Sequence, residues 1–431
     1  MSGIKPRILK GFRDILPEDM IIKEDFLGKI KKVFERYGFS PIETPALEYL
    51  DVLSGKGGEE NEKLMYKFKD NGDRDVGLRY DLTVPLARFV SMNRNDINLP
   101  FKRYHISPVW RAENTQKGRF REFYQCDCDI VGSSSEFADA EIIYLIHDTL
   151  KALKIQDFEI RINSRVFIDG FFNMLNIAED KTSALAVLID KKDKMPEQKF
   201  YSLAQEYLDD KNIILLRRFL EDTDTVPELE KLFAAADDKV KSELERFRNI
   251  MLTCKEISSH IKFCPGIIRG LDYYTGIVYE TVLKDSPEYG AIFSGGRYDN
   301  LIGLFSKEDI PAVGASIGIS RLIAALSERG FFKKSGKSVS DIILLNFDDE
   351  LTQEYFSIIH DLRMNGFKCD FYYDNTKVKK QFKFADKQGY TYALIMGKDE
   401  FDNGDIKIRN LKSGEEMTVK IGLAAEALRS M

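Results

Sequence analysis

The sequence predicts an α/β protein whose main body is α+β. That body is an antiparallel sheet flanked by helices, interrupted by a helical insertion and followed by a small C-terminal α/β domain. Three observations carry this. Residues 101–132 alternate in strand fashion around the polar stretch NTQKGRFR, as an antiparallel pair joined by a long basic loop would. Residues 173–253 are rich in Leu, Lys, Asp, Glu and Ala, with few strand signals. After the Gly/Ser/Lys linker KKSGKSVS, strand and helix patterns alternate as β-α-β-α-β, which predicts a mainly parallel sheet.

Taken in order, residues 21–37 place Ile22, Phe26, Ile30, Val33, Phe34 and Tyr37 on one helical stripe, with Gly38 as the stop. An extended segment with Pro41 and Pro45 follows. Residues 76–92 read as a strand leading into a helix, and 136–154 as an amphipathic helix. Beyond the insertion, 266–305 return to strands with Gly-rich turns at SGGRYD, and 311–330 form a strand-to-helix unit. In the tail, SDIILLNF, FKCDFYY and TYALIMG are strands separated by two helices. Two short strands and a final helix close the chain. The expected limits are 1–332 for the body, about 173–253 for its insertion, and 338–431 for the tail.

At 431 residues, and about 150 per domain, two to three domains are expected. Lys plus Arg number 64 against 70 Asp plus Glu, a net charge of −6. Taken globally this argues against a nucleic-acid partner, which usually leaves a basic footprint. No apolar run approaches the roughly 18 residues that span a bilayer. The N-terminus lacks the apolar core of a leader peptide, and five cysteines are too sparse for a disulfide framework. These features predict a cytosolic chain with reduced thiols.

Commoner chemistries find little support. The four histidines (His105, His147, His260, His360) show no zinc spacing. Cys126 and Cys128 fall on one strand face and read as core. No GxSxG, P-loop or strand-linked GxGxxG is present. The informative clusters are polar residues at strand spacing: Asp81 with Thr83, Arg111 with Glu113, and Gln125 with Asp127 and Asp129. IRGLDYYTGIVYE adds Arg269, Asp272, Tyr273 and Tyr274. Together they predict one sheet face carrying arginines, carboxylates and a glutamine. Arginine forks match phosphates and carboxylates match an ammonium, so the face suits a ligand with both kinds of group.

Over nearly its whole length the sequence resembles the histidyl-tRNA synthetases, class II aminoacyl-tRNA synthetases. GFRDILP resembles the family's opening, and FERYGFSPIETPALE its first class motif. FKRYHISPVWRAENTQKGRFREFYQCDCDIVG resembles the second motif. RGLDYYTGIVYE and SGGRYDNLIG resemble the histidine-specific signatures, and VGASIGISRL the third motif. The tail resembles the class's anticodon-binding domain.

The resemblance implies ligation of L-histidine to tRNA(His) through a histidyl-adenylate, with ATP as substrate, Mg²⁺ arriving with it, and a homodimer. It implies that Arg111 contacts the α-phosphate and carboxylate, and that Arg269 is a catalytic cation beside the same phosphate. Glu113 and Phe123 match the adenine site, and Arg321 the γ-phosphate contact at a helix N-terminus. Asp81, Thr83 and Gln125 match the residues that hold the ammonium. Asp129 and Tyr273 or Tyr274 match those that hold the imidazole nitrogens. No dedicated metal cage is legible, although Glu280 is a candidate Mg²⁺ contact. Lys117, Arg119 and Arg121 are placed to meet the acceptor end of the tRNA. Lys380, Lys383 and Lys387 share a helix face in the anticodon domain, where Lys377 and Lys379 add to the crowding.

Two departures stand out. Ser320 precedes Arg321 where the third motif often has Glu, and Asp81 and Asp129 stand where one family branch has Glu. A competing reading is the synthetase-like regulatory subunit of ATP phosphoribosyltransferase. That paralogue generally lacks the tail and degrades the histidine signatures, whereas both are present here. Residues 338–431 hold 13 basic and 16 acidic side chains, so any RNA contact there is expected to be local, around 377–387.

Overall fold

The computed structural model describes residues 4–55, 64–115, 118–192, 195–221, 225–268, 273–332 and 336–431. The chain divides into two compact units. One comprises the segment ending at Arg13 and Phe26–Arg329; the other comprises Asp14–Asp25 and Gly330–Met431.

The first helix, Pro17–Arg36, starts earlier than the apolar stripe alone suggests. Proline is pre-organised for a first helical position, and Glu18 and Asp19 suit the helix's positive end. Phe26, Ile30, Val33 and Phe34 are buried along one face. The chain leaves the helix at Gly38 with φ +79°, a conformation that favours glycine.

Strands are numbered in chain order: β1 Ser40–Pro41, β2 Leu47–Tyr49, β3 Tyr66–Lys69, β4 Asp75–Leu78, β5 Phe101–Trp110 and β6 Glu122–Val131. They continue as β7 Phe158–Ser164, β8 Ile261–Phe263, β9 Ile277–Leu283, β10 Phe293–Arg297 and β11 Ala312–Gly318. Among the described residues they form an eight-stranded sheet, β1-β5-β6-β11-β10-β9-β7-β8, and a small sheet, β2-β4-β3. In the large sheet β1 with β5 and β7 with β8 run parallel; the other neighbours are antiparallel. The expected antiparallel body is therefore present.

Helix Glu136–Ala152 buries Ile142, Ile143, Leu145, Ile146 and Leu150. The helical run that follows begins at Arg165, ahead of residue 173, because Ser164 ends β7 and caps the helix by accepting from Val166 N. Helices follow at Glu179–Ile189, Glu197–Ala204, Asp210–Glu221, Val226–Leu232 and Asp238–Thr253. Phe167 and Phe171 tie the first of these helices to Phe233, Phe247 and Phe219.

The second unit holds β12 Ile342–Leu344, β13 Cys369–Phe371, β14 Tyr392–Ile395, β15 Asp405–Asn410 and β16 Glu416–Lys420, in the order β13-β12-β14-β15-β16. The first three are parallel and the last two extend the sheet antiparallel. Alternate residues of β12 enter different cores. Ile342 and Leu344 pack with Tyr355 and Ile359, while Ile343 packs with Ala385 and Tyr390. Burial on both faces explains the continuous apolar runs seen in the sequence. No described helix is long and apolar enough to cross a membrane.

Candidate active site

The floor of the site is three ladder rungs across β5, β6 and β11. Arg103 faces Asp129, which faces Gly314; His105 faces Asp127, then Ser316; Ser107 faces Gln125, then Gly318. The two-residue period that sends Gln125, Asp127 and Asp129 to this side sends Cys126 and Cys128 into the core, as expected. Glycine is required at 314, where a Cβ would lie 1.9 Å from Asp129 Oδ1. Gly296 serves similarly, since a Cβ there would fall 2.9 Å from the Tyr274 ring.

The floor is buried and charged. Arg103 Nη2 lies 2.7 Å from Asp129 Oδ2, and the Tyr298 hydroxyl donates to Asp129 Oδ1. Burial works against the Arg103 charge, but Asp129 and Asp127 hold it above its usual range. Burial pushes Asp127 up to about 7, opposed by Arg103 and assisted by Asp129. Burial likewise raises Asp81 to about 6, against a backbone bond from Val84 and the charge of Arg111. His105 is driven down to about 3 by burial and by Arg103 and Arg79, and so is neutral.

The walls correct one expectation. Asp81 and Thr83 do not share a strand face, because β4 ends at Leu78 and a helix begins at Thr83. Asp81 Oδ1 accepts from Val84 N at 3.1 Å, so its carboxylate satisfies an otherwise free helix-start donor. Tyr273 and Tyr274 also stand outside a strand, ahead of β9, with their rings 5.0 Å apart edge to face. Tyr273 packs on Tyr298 at 5.7 Å. Arg111 follows the end of β5, its Nε donating to Tyr80 O at 3.0 Å and its guanidinium 5.1 Å from the Phe123 ring. One sheet face supplies the floor; turns and a helix start supply the rest.

These groups line one cavity of about 300 Å³. Asp81, Thr83, Arg111, Glu113, Arg119, Phe123, Gln125, Asp129, Tyr273, Tyr274 and Arg321 all border it. Arg321 is the third residue of helix Ile319–Glu328 and donates to Ala291 O at 2.6 Å. Burial and the nearby Arg119 and Arg111 lower its pKa, against the opposing charges of Glu113 and Glu280. Arg111, Arg119 and Arg321 thus share the cavity with the carboxylates Asp81, Asp127 and Asp129. Ser320, the departure from the third motif, accepts from Tyr124 N at 3.3 Å and so has a structural use.

Arg121 does not border the cavity. It donates to Glu113 O and Lys10 O, tying down the N-terminal segment. Arg269, Asp272 and Lys117 lie outside the described residues. In the second unit, Lys380, Lys383 and Lys387 are exposed on helix Val378–Gln388. Gln381, on its buried face, exchanges hydrogen bonds with the Asn346 backbone. Among the described residues, no cluster of three His, Cys, Asp or Glu could hold a metal ion.

Sequence reasoning assigned no role to Arg103, Asp127, Tyr298 or Ser316. Asp127 was visible in the alternating row. The others carry no local signal, because strand pairing and long-range contacts bring them to the site.

The pattern of the family described as Histidyl-tRNA synthetase matches residues 11–322, and that of the Anticodon binding domain matches 340–431. The histidine–tRNA ligase of Rhodopirellula baltica is 40% identical over 428 residues, covering 96% of each chain. That of Treponema denticola is 39% identical over 448 residues, covering 99% of this chain and 98% of its own. A crystal structure of histidyl-tRNA synthetase from Nostoc sp. PCC 7120 superposes with a TM-score of 0.88 at 32% identity, covering 100% of both chains. A Bacillus halodurans structure described as an ATP phosphoribosyltransferase regulatory subunit/histidyl-tRNA synthetase shares the fold, with a TM-score of 0.74 at 23% identity over 88% of this chain and 97% of its own. With both patterns matched in order and full-length relatives near 40% identity, the chain belongs to the histidyl-tRNA synthetase family.

Proposed function

We propose that the cavity activates L-histidine with ATP and passes the histidyl group to tRNA(His). The observation that carries this is the meeting, in one cavity of a chain of this family, of Arg111, Arg119 and Arg321 with Asp81, Asp127 and Asp129. The histidine carboxylate attacks the α-phosphorus of ATP, and pyrophosphate leaves. The terminal adenosine hydroxyl of the tRNA then attacks the acyl carbon, and AMP leaves. Neither step needs a protein nucleophile, so the residues act by alignment and by stabilising added negative charge.

In this reading Arg111 bridges the carboxylate and α-phosphate, Arg321 takes the γ-phosphate, and Phe123 and Glu113 hold adenine. Arg269 supplies a further cation at the α-phosphate. Asp81, Thr83 and Gln125 receive the ammonium. Asp129, held by Arg103 and Tyr298, keeps free lone pairs for an imidazole N–H and acts with Tyr273 and Tyr274. A pocket that bonds both ring nitrogens leaves buried groups unpaired with any other side chain, which can reject analogues by roughly 10⁴. Mg²⁺ entering with ATP would neutralise phosphate charge, and Glu280, on the cavity wall, is an oxygen donor suited to it.

We assign 1–332, with the helical insertion near 173–253, to catalysis and 338–431 to the anticodon. Lys117, Arg119 and Arg121 serve the acceptor end, and Lys380, Lys383 and Lys387 the anticodon-side phosphates. A cytoplasmic homodimer is the working form; sedimentation as a monomer at micromolar concentration would contradict it. The regulatory-subunit alternative is not favoured, since full-length relatives are ligases by name and the tail is matched. Histidine-dependent ATP–pyrophosphate exchange by the purified chain tests the proposal, and absence of exchange would refute it.

A further inference from the structure

We propose that Asp127 is a further acceptor for the α-ammonium of the amino-acid substrate, beside Asp81, Thr83 and Gln125. This rests on the reading of the cavity as a histidine site. An ammonium brings three N–H donors and no acceptor. Among the described residues, four buried acceptor atoms on the cavity lining have no hydrogen-bond donor: Asp81 Oδ2, Gln125 Oε1, Asp127 Oδ1 and Asp129 Oδ2, the last of which is ion-paired to Arg103. Asp81 and Asp127 are each only 2% exposed. A buried carboxylate oxygen left without a donor is costly, and such groups are normally satisfied.

The neighbours of Asp127 aim this set. Gln125 Nε2 donates to Ser316 Oγ at 2.6 Å, and Ser316 is the ladder partner of Asp127. The amide nitrogen of Gln125 is thereby engaged and its oxygen left free. On β11 the rungs beside Ser316 are Gly314 and Gly318, so no side chain there covers the row. The charges around Asp127 are Arg103 and Asp129 on the floor, Asp81 at the helix start, and Arg79 and Tyr274 farther out; His105 opposite is neutral. Arg103 is already ion-paired to Asp129. A cation arriving between Asp81 and Asp127 balances the remaining negative charge.

The test is equilibrium binding of three ligands to the full-length wild type and to Asp127→Asn. L-Histidine and histidinol carry the ammonium; imidazolepropionate lacks it. The variant should bind the first two about 10- to 100-fold more weakly and imidazolepropionate within about twofold of wild type. Equal loss for all three ligands, or loss for none, would overturn the proposal. Should the Asn variant fail to fold, Asp127→Ser is read the same way. Failure of both to fold, without rescue by histidine, would overturn it by assigning Asp127 to the charge balance of Arg103. A wild type without histidine-dependent exchange refutes the activation reading itself. A wild type that exchanges beside an unimpaired variant refutes the role of Asp127 alone.

Discussion

Arg103 and Asp129 face each other across β5 and β6 with Nη2 and Oδ2 2.7 Å apart, and neither side chain is more than 4% exposed. The pair sits under the cavity and determines how much negative charge the floor carries. Removing one partner would leave the other as an uncompensated buried charge. Arg103→Met should therefore destabilise the protein by about 3–5 kcal/mol, read as a shift in the denaturation midpoint at unchanged m-value. A loss near zero would mean that the floor carboxylates are neutral.

The floor also makes stability depend on pH. Folding raises Asp81 to about 6 and Asp127 to about 7, above an unfolded value of about 3.9. The folded state then binds more protons than the unfolded one through this interval. These two groups make stability fall as pH rises from about 4 to about 7. Asp127→Asn removes one of them. Without ligand, the stability of the variant relative to wild type should be more favourable at about pH 8 than at about pH 5. A flat difference would show that Asp127 titrates normally.

Histidine should weaken that dependence, because its ammonium favours the ionised carboxylates. Its affinity should fall as pH drops through about 7, where Asp127 gains a proton. Imidazolepropionate lacks the ammonium, and its imidazole titrates higher than that of histidine for the same reason, so the ratio of the two affinities, each corrected for the ligand's own protonation, isolates the carboxylates. A pH-independent ratio would count against ammonium binding on this floor.

Gly314→Ala places a methyl 1.9 Å from Asp129 Oδ1 and 2.7 Å from Cys128 O. Asp129 has to shift, costing about 1–3 kcal/mol. Histidine binding should suffer more than ATP binding, since Arg111, Phe123 and Arg321 are not among the atoms that the methyl meets. Equal loss of both would mean that the sheet itself is disrupted.

The arginines and the lysines separate the two half-reactions. Arg269→Ala should lower pyrophosphate exchange by about 10²–10³ with the fold intact; near-normal exchange would refute its role. Reversing Lys380 and Lys383 to Glu should weaken tRNA charging and flatten its salt dependence while leaving exchange unchanged. Impaired exchange in that variant would point to a structural role.

Much of the fold was legible because its causes are local. Alternation placed Cys126 and Cys128 inward and Gln125, Asp127 and Asp129 toward the cavity. The apolar runs of the tail reflect burial on both sheet faces. Asp81 and Thr83 were misread as strand neighbours. A two-residue spacing cannot distinguish a strand from a helix start, where an Asp side chain satisfies a free backbone donor. Arg121 was read as an acceptor-end contact, and nothing in the sequence signals that its guanidinium also donates to the carbonyls of Lys10 and Glu113.

By itself the sequence determined the antiparallel body, the helical run, the alternating tail and the chemical types at the site. Each follows from periodicity, capping or residue chemistry over a few neighbouring positions. Only the tertiary structure decided that Arg103, from one strand, and Tyr298, beyond β10, close on Asp129 while Asp127 keeps an oxygen free. Which buried charge is paired and which is left for a ligand depends on strand register and side-chain packing between distant segments, and no local pattern encodes it.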